Sequence, residues 1–184
     1  MIAKDLTVLV PSIPERAEML QECLASIAAQ TEQPGRIVVS VDNAVIPIHT
    51  HHNSLMAGVE TPWVMYFADD DLMMPTYVET VMRWARALMH PAVVWTYTKG
   101  EYPGYRQEFS RELLLKESIV SGAAVFSTEL FEAAGRFRDE FGADWEFWKR
   151  LAANPSVKFH SISEELVEYR YHGANHSLGF RRES

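Results

Sequence analysis

The sequence contains a single cysteine, Cys23, in 184 residues. One thiol cannot form an intramolecular disulfide or a metal site with several thiolate ligands, so neither is expected to hold the fold together. A chain of this length buries enough apolar surface to form a core without such cross-links. Because Cys23 lies between apolar neighbours in a helical pattern, we expect it to be a small buried side chain.

The sequence also lacks a long hydrophobic run. Its longest apolar stretches, such as residues 6–10 and 63–68, are far shorter than the about 18 residues that span a bilayer. The N-terminus leads directly into a strand pattern, without the apolar segment and cleavage site of a signal peptide. We therefore expect no membrane span and a cytoplasmic location.

Basic side chains are scarce. The 17 lysines and arginines stand against 25 aspartates and glutamates, which gives a formal net charge of −8. Proteins that bind nucleic acid strongly present a positive field, so this balance disfavours nucleic acid as a partner.

Hydrophobic patterning predicts alternating strands and helices, which is typical of an α/β fold. No repeat, low-complexity tract or linker interrupts the pattern, so we predict one domain over residues 1–184. The predicted strands cover residues 6–10, 36–41, 63–67, 92–97, 119–126, 157–159 and 166–169. The predicted helices cover a segment that ends near Gln30, a weak pattern at 53–59, and residues 75–89, 111–116, 128–134 and those following Asp144.

Several local signals refine these elements. Ser12 and Glu15 have the spacing of a capping box for the first helix, and a parallel βαβ unit follows from the two strands on either side of it. Gly135 is expected to cap the helix that ends at Ala134. Gly122 falls inside a predicted strand. The apolar positions predicted to face inward on the helix at 75–89 are Val78, Val81, Met82, Ala85 and Met89.

Acidic residues follow two of the predicted strands. Asp42 ends the second strand, and Asp69, Asp70 and Asp71, here called the acidic loop, follow the third. Ligands of open α/β sheets bind beyond the carboxyl ends of the strands. Three adjacent carboxylates are neutralised most simply by a divalent cation such as Mg²⁺ or Mn²⁺, which suggests a metal-bound nucleoside diphosphate. The alternative is an acidic loop that only caps the helix following Pro75.

The order of motifs along the chain resembles that of family-two glycosyltransferases with the GT-A fold. The similar segments are residues 7–12 with Arg16, 38–42, 63–75, 131–137, 144–150 and 169–177. The resemblance implies an α/β fold with a Rossmann-like, mostly parallel sheet, a nucleotide-binding half at about residues 1–75 and an acceptor and catalytic half at about 76–184. It also implies inverting transfer of a sugar from a nucleotide-diphosphate donor, most often a UDP-sugar, to an acceptor hydroxyl.

The resemblance also implies roles for individual residues. Asp144 is the expected general base, which removes the proton of the acceptor hydroxyl. Mn²⁺ or Mg²⁺ is expected at Asp70, Asp71 and His172, although His172 could also be structural, and Arg16 could pair with a phosphate or only decorate the first helix. The residues expected to bind the donor are Pro11, Ser12, Arg16, Asp42, Asp69 and Asp70.

Some positions depart from the family pattern. Ala68 stands where the first aspartate of the DxD motif is usual, which makes Asp70 the favoured metal ligand; a shift of one residue would make Asp69 and Asp71 the pair. Ala143 replaces the acid that usually precedes the base. These departures motivate an alternative, an inactive module that binds nucleotide sugar. A sugar-phosphate nucleotidyltransferase is a weaker alternative, because residues 11–14 are not a glycine-rich phosphate loop.

Histidine and aromatic clusters offer further candidates. His49, His51 and His52 have near-metal spacing, and either a solvated loop or, less favoured, a zinc site accounts for them. Trp95 is expected in the core. Tyr97, Tyr102 and Tyr105 could stack on a sugar, and one of Trp145 and Trp148 could line the acceptor pocket while the other packs. The acceptor itself is not specified, and a homo-oligomer is a further possibility.

Overall fold

A computed structural model describes residues 1–42, 47–100, 106–139 and 142–172 of the chain. The strands are β1 Ile2–Ser12, β2 Gln33–Val41, β3 Trp63–Tyr66, β4 Leu72–Met73, β5 Ala92–Lys99, β6 Val125–Ser127 and β7 Lys158–Glu168. The helices are α1 Ala17–Ala28, α2 Ile48–Met56, α3 Tyr77–Leu88, α4 Arg111–Leu114, α5 Glu129–Ala133 and α6 Ala143–Ala152. A short 3-10 turn, Pro14–Arg16, joins β1 to α1.

The strands of the described residues form one mixed sheet in the order β2-β1-β3-β6-β5-β7-β4. β1 runs parallel to β2 and to β3, which confirms the predicted βαβ unit. β5 is parallel to β7, whereas β6 is antiparallel to β3 and β5, and β4 is antiparallel to β7. The carboxyl ends of β1, β2 and β3 therefore meet at one edge of the sheet.

Two apolar clusters pack on opposite faces of this sheet. Side chains alternate between the faces of a strand, so Val8 and Val10 face one cluster and Leu9 the other. Cys23 is fully buried in the first cluster, as expected. Trp95 is fully buried in the second, which confirms its place in the core.

The structure corrects several predicted boundaries. Residues 119–124 are not a strand: β6 covers only Val125–Ser127, and Gly122 lies in a turn. The two predicted final strands are one continuous strand, β7. The weak pattern at residues 53–59 marks only the last part of α2, which begins at Ile48.

Helix α3 is amphipathic as predicted, except at its end. Four of the predicted inward positions are buried, but Met89 is 65% exposed. Met89 follows the helix with a φ of +60°, so its side chain no longer continues the helical stripe. The prediction for Met89 was wrong because the helix ends one residue earlier.

No helix in the described ranges is long and apolar enough to cross a membrane.

Candidate functional site

The first contact of the site joins the ends of β1 and β3. Asp69 follows β3 and is only 2% exposed, so its carboxylate needs partners inside the protein. The Ser12 hydroxyl donates a hydrogen bond of 2.6 Å to Asp69 Oδ2, and Arg16 donates one of 3.0 Å to Asp69 Oδ1. The capping box is therefore wrong: residue Ile13 occupies the N-cap of the 3-10 turn without a side-chain cap, and the Ser12 hydroxyl is directed to Asp69.

Arg16 also contacts the next aspartate. The same nitrogen, Nη1, lies 3.0 Å from Asp70 Oδ2, so one guanidinium group bridges two buried carboxylates. Asp70 Oδ2 is also 2.9 Å from His172 Nε2, at the end of the described chain. Asp70 thus pairs with groups from both ends of the sequence.

Asp71 faces the segment that follows β7. Its Oδ1 accepts a 3.1 Å hydrogen bond from the backbone N–H of Arg170. Burial, reinforced by the negative charge of Asp70, raises the pKa of Asp71 to about 7. The Asp71 carboxyl group is therefore held in a largely enclosed, negatively charged setting.

The remaining predicted donor residues lie on the same sheet edge. Pro11 and Ser12 are the last two residues of β1, where they pair with Ser40 and Val41 of β2. Asp42 follows β2, and its backbone N–H donates a 2.9 Å hydrogen bond to the Ser12 carbonyl. The predicted donor-binding residues are therefore neighbours.

Asp144 lies on a different element at that edge. It sits in the first turn of α6, one residue after the helix begins, and the N-cap Gly142 has the left-handed φ of +69° that favours glycine. A Cβ added to Gly122 would lie 3.7 Å from Asp144 Oδ2. Because Gly122 precedes β6 and β6 is antiparallel to β3, this pair lies toward the carboxyl end of β3.

The two tryptophans beside Asp144 have different environments. Trp148 is 2% exposed and packs in the core. Trp145 is half-buried; its indole N–H donates to the Leu114 carbonyl at 2.7 Å, and Lys149 Nζ lies 4.4 Å from its ring centroid. Trp145 is thus the one that could border an acceptor. Tyr97 is half-buried, and Tyr102 and Tyr105 lie outside the described residues.

The ligand atoms near the acidic loop determine whether it could hold a cation. In the ranges that the structure describes, no group of three or more His, Cys, Asp or Glu side chains could hold a metal ion. Asp70 Oδ2 and His172 Nε2 do converge at 2.9 Å. Mg²⁺ and Mn²⁺ usually take one or two protein ligands and complete their shells with phosphate oxygens and water. The residues therefore fit a cation shared with a diphosphate, not one held by the protein alone.

The three clustered histidines point to different neighbours. They lie on α2, so the expectation of a solvated loop was wrong. His51 Nε2 is 2.8 Å from the Ser40 hydroxyl, the His52 ring packs 4.7 Å from the Tyr66 ring, and His49 faces Asp139 at 3.4 Å. His51 and His52 therefore hold α2 against neighbouring strands, whereas His49 faces an exposed carboxylate.

Arg170 is a site residue to which the sequence assigned no role. Its side chain donates to the Asp70 carbonyl through Nε, pairs with Glu22 through Nη1, and donates to the Met19 carbonyl at 3.1 Å through Nη2. The only signal in the sequence was its position two residues before His172 in a segment of the family resemblance.

Solved structures of S. aureus TarS have a similar fold. The TarS structure superposes with a TM-score of 0.65 at 14% identity, covering 91% of this chain. TarS 1-349 with UDP gives 0.67 at 14% identity over 90% of this chain, and with UDP-GlcNAc 0.66 at 16% over 95%. The chain spans 37% of the TarS structure and 60% of each 1-349 structure.

These likenesses show the fold, a mixed sheet with flanking helices that this chain shares with TarS. The expected GT-A fold is thereby confirmed. The expectation of a mostly parallel sheet was wrong, because three of the six strand pairings among the described residues are antiparallel. No family model matches the chain. No curated protein matches it either.

Proposed function

We propose that this chain binds a UDP-sugar and transfers the sugar to an acceptor hydroxyl with inversion at the anomeric carbon. The observation that carries the proposal is the buried network of Ser12, Arg16, Asp69, Asp70 and His172 where β1 and β3 end. Ligands of α/β sheets bind at this edge. S. aureus TarS, a glycosyltransferase, shares the fold and has been solved with UDP and with UDP-GlcNAc, which supports this class of donor.

Donor binding in this proposal follows the sheet edge. Asp42 receives the nucleobase, and Pro11, Ser12, Arg16 and Asp69 line the ribose and diphosphate. Within the acidic loop, Arg16 already pairs with the Asp69 and Asp70 carboxylates, and the backbone N–H of Arg170 donates to the Asp71 carboxylate. A diphosphate adds further negative charge, so its binding requires an additional cation.

Mn²⁺ or Mg²⁺ supplies that charge in the proposal and neutralises the departing diphosphate. Asp70 and His172 would hold it, with Asp71 as a further candidate. Arg16, whose Nη1 lies 3.0 Å from Asp70 Oδ2, would be available to pair with a phosphate of the donor.

Asp144 is the proposed general base. The acceptor oxygen attacks the anomeric carbon, its proton passes to the Asp144 carboxylate, and the nucleoside diphosphate leaves with the electron pair of the broken bond. Gly122, which has no side chain, lies beside Asp144 Oδ2, and in the proposal the acceptor approaches on this side of the carboxylate. Trp145 provides an apolar border on the same helix.

The alternative is a module that binds a nucleotide sugar without transferring it. The sequence feature that favours it is Ala143, which stands where an acid usually precedes the base. A nucleotidyltransferase is disfavoured, because β1 ends in a 3-10 turn that begins at Pro14 and contains no glycine-rich loop.

Calorimetric titration of UDP and GDP, in MnCl₂ or in EDTA, tests the donor site. We expect Mn²⁺-dependent binding of UDP that weakens at least about tenfold in Asp70→Asn. Glu129→Gln, which removes a carboxylate at the opposite end of β6, is the matched control and should bind like the wild type. Absence of binding by any nucleotide would contradict the donor site. Mass spectrometry of UDP-GlcNAc then separates a transferase, which hydrolyses it slowly, from a module that only binds it.

A further inference from the structure

We infer that Arg170 is a positioning residue, which clamps the chain after β7 onto the acidic loop and so sets His172 against Asp70. The inference rests on the proposed function, because it concerns how the donor site is assembled. It rests on a separate observation, however: the Arg170 side chain connects the segment after β7 to both the acidic loop and α1.

The clamp begins with the contacts of the Arg170 guanidinium. Nε donates to the backbone carbonyl of Asp70, and Nη2 donates to the Met19 carbonyl of α1 at 3.1 Å. Nη1 pairs with Glu22, one turn further along the same helix. The planar fork of an arginine can reach several acceptors in fixed directions, which a lysine ammonium cannot do.

The backbone of Arg170 adds a second point of attachment. Its N–H donates to Asp71 Oδ1 at 3.1 Å, so both backbone and side chain of this residue hold the acidic loop. The Glu22 side chain is 64% exposed, and an ion pair at such a position contributes little to the free energy of folding. The contacts with Asp70, Asp71 and Met19 are therefore the ones that fix the segment.

His172 follows two residues later and faces the same loop. Both Arg170 and His172 contact Asp70, so both face the acidic loop. Tyr171 is 53% exposed, whereas His172 Nε2 lies 2.9 Å from Asp70 Oδ2. Anchoring Arg170 thus places the imidazole at the carboxylate, although the two residues are 102 positions apart.

The test combines hydrogen exchange with nucleotide binding in Arg170→Met, Arg170→Lys and a control, Arg86→Met. Arg86 is a matched control because its guanidinium also joins separate segments, through the carboxylates of Asp5 and Glu32, but in a different network. Exchange of the peptide at residues 166–172 needs no ligand, so it measures the clamp directly. We expect faster exchange in Arg170→Met, a smaller change in Arg170→Lys, and none in Arg86→Met.

Binding of UDP in MnCl₂ provides the functional readout. We expect the dissociation constant to rise about tenfold in Arg170→Met and to stay unchanged in Arg86→Met. In a His172→Ala background, Arg170→Met should weaken UDP binding much less, because Arg170 acts through the histidine and Asp70. If Arg170 were merely structural, Arg170→Met would weaken UDP binding equally in both backgrounds.

The outcomes separate the two proposals. Unchanged exchange at residues 166–172 in Arg170→Met overturns the clamp, and so does an equal loss of UDP affinity in both backgrounds. If the wild-type protein binds no UDP while exchange rises as expected, the clamp is supported and the proposed function fails.

Discussion

Ser12 and Asp69 are 57 residues apart, yet the Ser12 hydroxyl donates a 2.6 Å hydrogen bond to the Asp69 carboxylate. The bond is buried and joins the last residue of β1 to the residue that begins the acidic loop, which follows β3. The Asp69 side chain is thus held by contacts within the protein.

Removing the hydroxyl should reduce both stability and donor binding. Ser12→Ala leaves Asp69 Oδ2 without this donor, at a cost of about 1–3 kcal/mol in the free energy of unfolding. Urea denaturation measures the loss, and calorimetry with UDP should show weaker binding. The exposed Ser156 provides a control, since Ser156→Ala should leave both quantities unchanged. Equal unfolding midpoints for Ser12→Ala and the wild type would contradict the expectation.

Replacing Arg16 should make the protein respond more strongly to a divalent cation. Arg16→Met leaves Asp69 and Asp70 without the guanidinium that bridges them, and breaking such a buried pair costs about 3 kcal/mol. A cation can partly replace the lost charge. We expect a lower melting temperature that MnCl₂ raises more in the variant than in the wild type. Equal shifts in the two proteins, measured by differential scanning fluorimetry, would argue against a cation at this loop.

Much of the proposed donor-binding site could be predicted because its sequence signals are local. The apolar run that forms β3 and the three aspartates after it are adjacent in the sequence, so both the strand and the position of the acids were readable. Asp42 was placed by the same reasoning. The partners of Asp70 were harder to predict, because Arg16 and His172 reach it from distant parts of the chain.

Errors arose where burial and local structure disagree. Ile119 and Val120 are fully buried, like residues of a strand, but they belong to an irregular segment that turns at Gly122. β7 was divided into two because its middle is polar and partly exposed, although it pairs with β5 along most of its length. Sequence periodicity records burial, and neither the hydrogen-bond partners nor the contacts of Arg170 can be derived from it.

The ring contact between Trp84 and His160 predicts a pH dependence of stability. Their ring centroids are 4.2 Å apart, and burial lowers the pKa of His160. In the unfolded chain the imidazole takes up a proton near pH 6.5, and in the folded chain only at lower pH. Because the unfolded state then binds more protons, this group costs stability as the pH falls below about 6.5.

His160→Phe should remove that contribution while keeping an aromatic contact with Trp84. We expect the loss of stability between pH 7 and pH 5 to be smaller in the variant than in the wild type. Urea midpoints at the two pH values, followed by tryptophan fluorescence, measure the difference. The same pH slope in both proteins would show that His160 does not titrate differently on unfolding.

Asp144→Asn should separate binding from turnover. The amide cannot accept the acceptor proton, so hydrolysis of UDP-GlcNAc should fall at least about 100-fold. UDP affinity should be unchanged, because Asp144 lies on α6 and the donor residues lie on β1, β2 and the acidic loop. The measurement pairs mass spectrometry of the products with calorimetry. Undiminished hydrolysis would exclude Asp144 as the base.

Gly122→Val should hinder turnover by filling the space beside Asp144. A Cβ at this position would lie 3.7 Å from Asp144 Oδ2, an ordinary van der Waals distance, so the variant should fold; its methyl groups would occupy the side from which an acceptor approaches. Since small displacements of reacting groups are costly, we expect turnover to fall at least about tenfold with UDP affinity unchanged. Gly58→Val is the control, because its nearest neighbour would be Arg36 Nη2 at 3.9 Å. Equal turnover in the two glycine variants would place the acceptor away from Gly122.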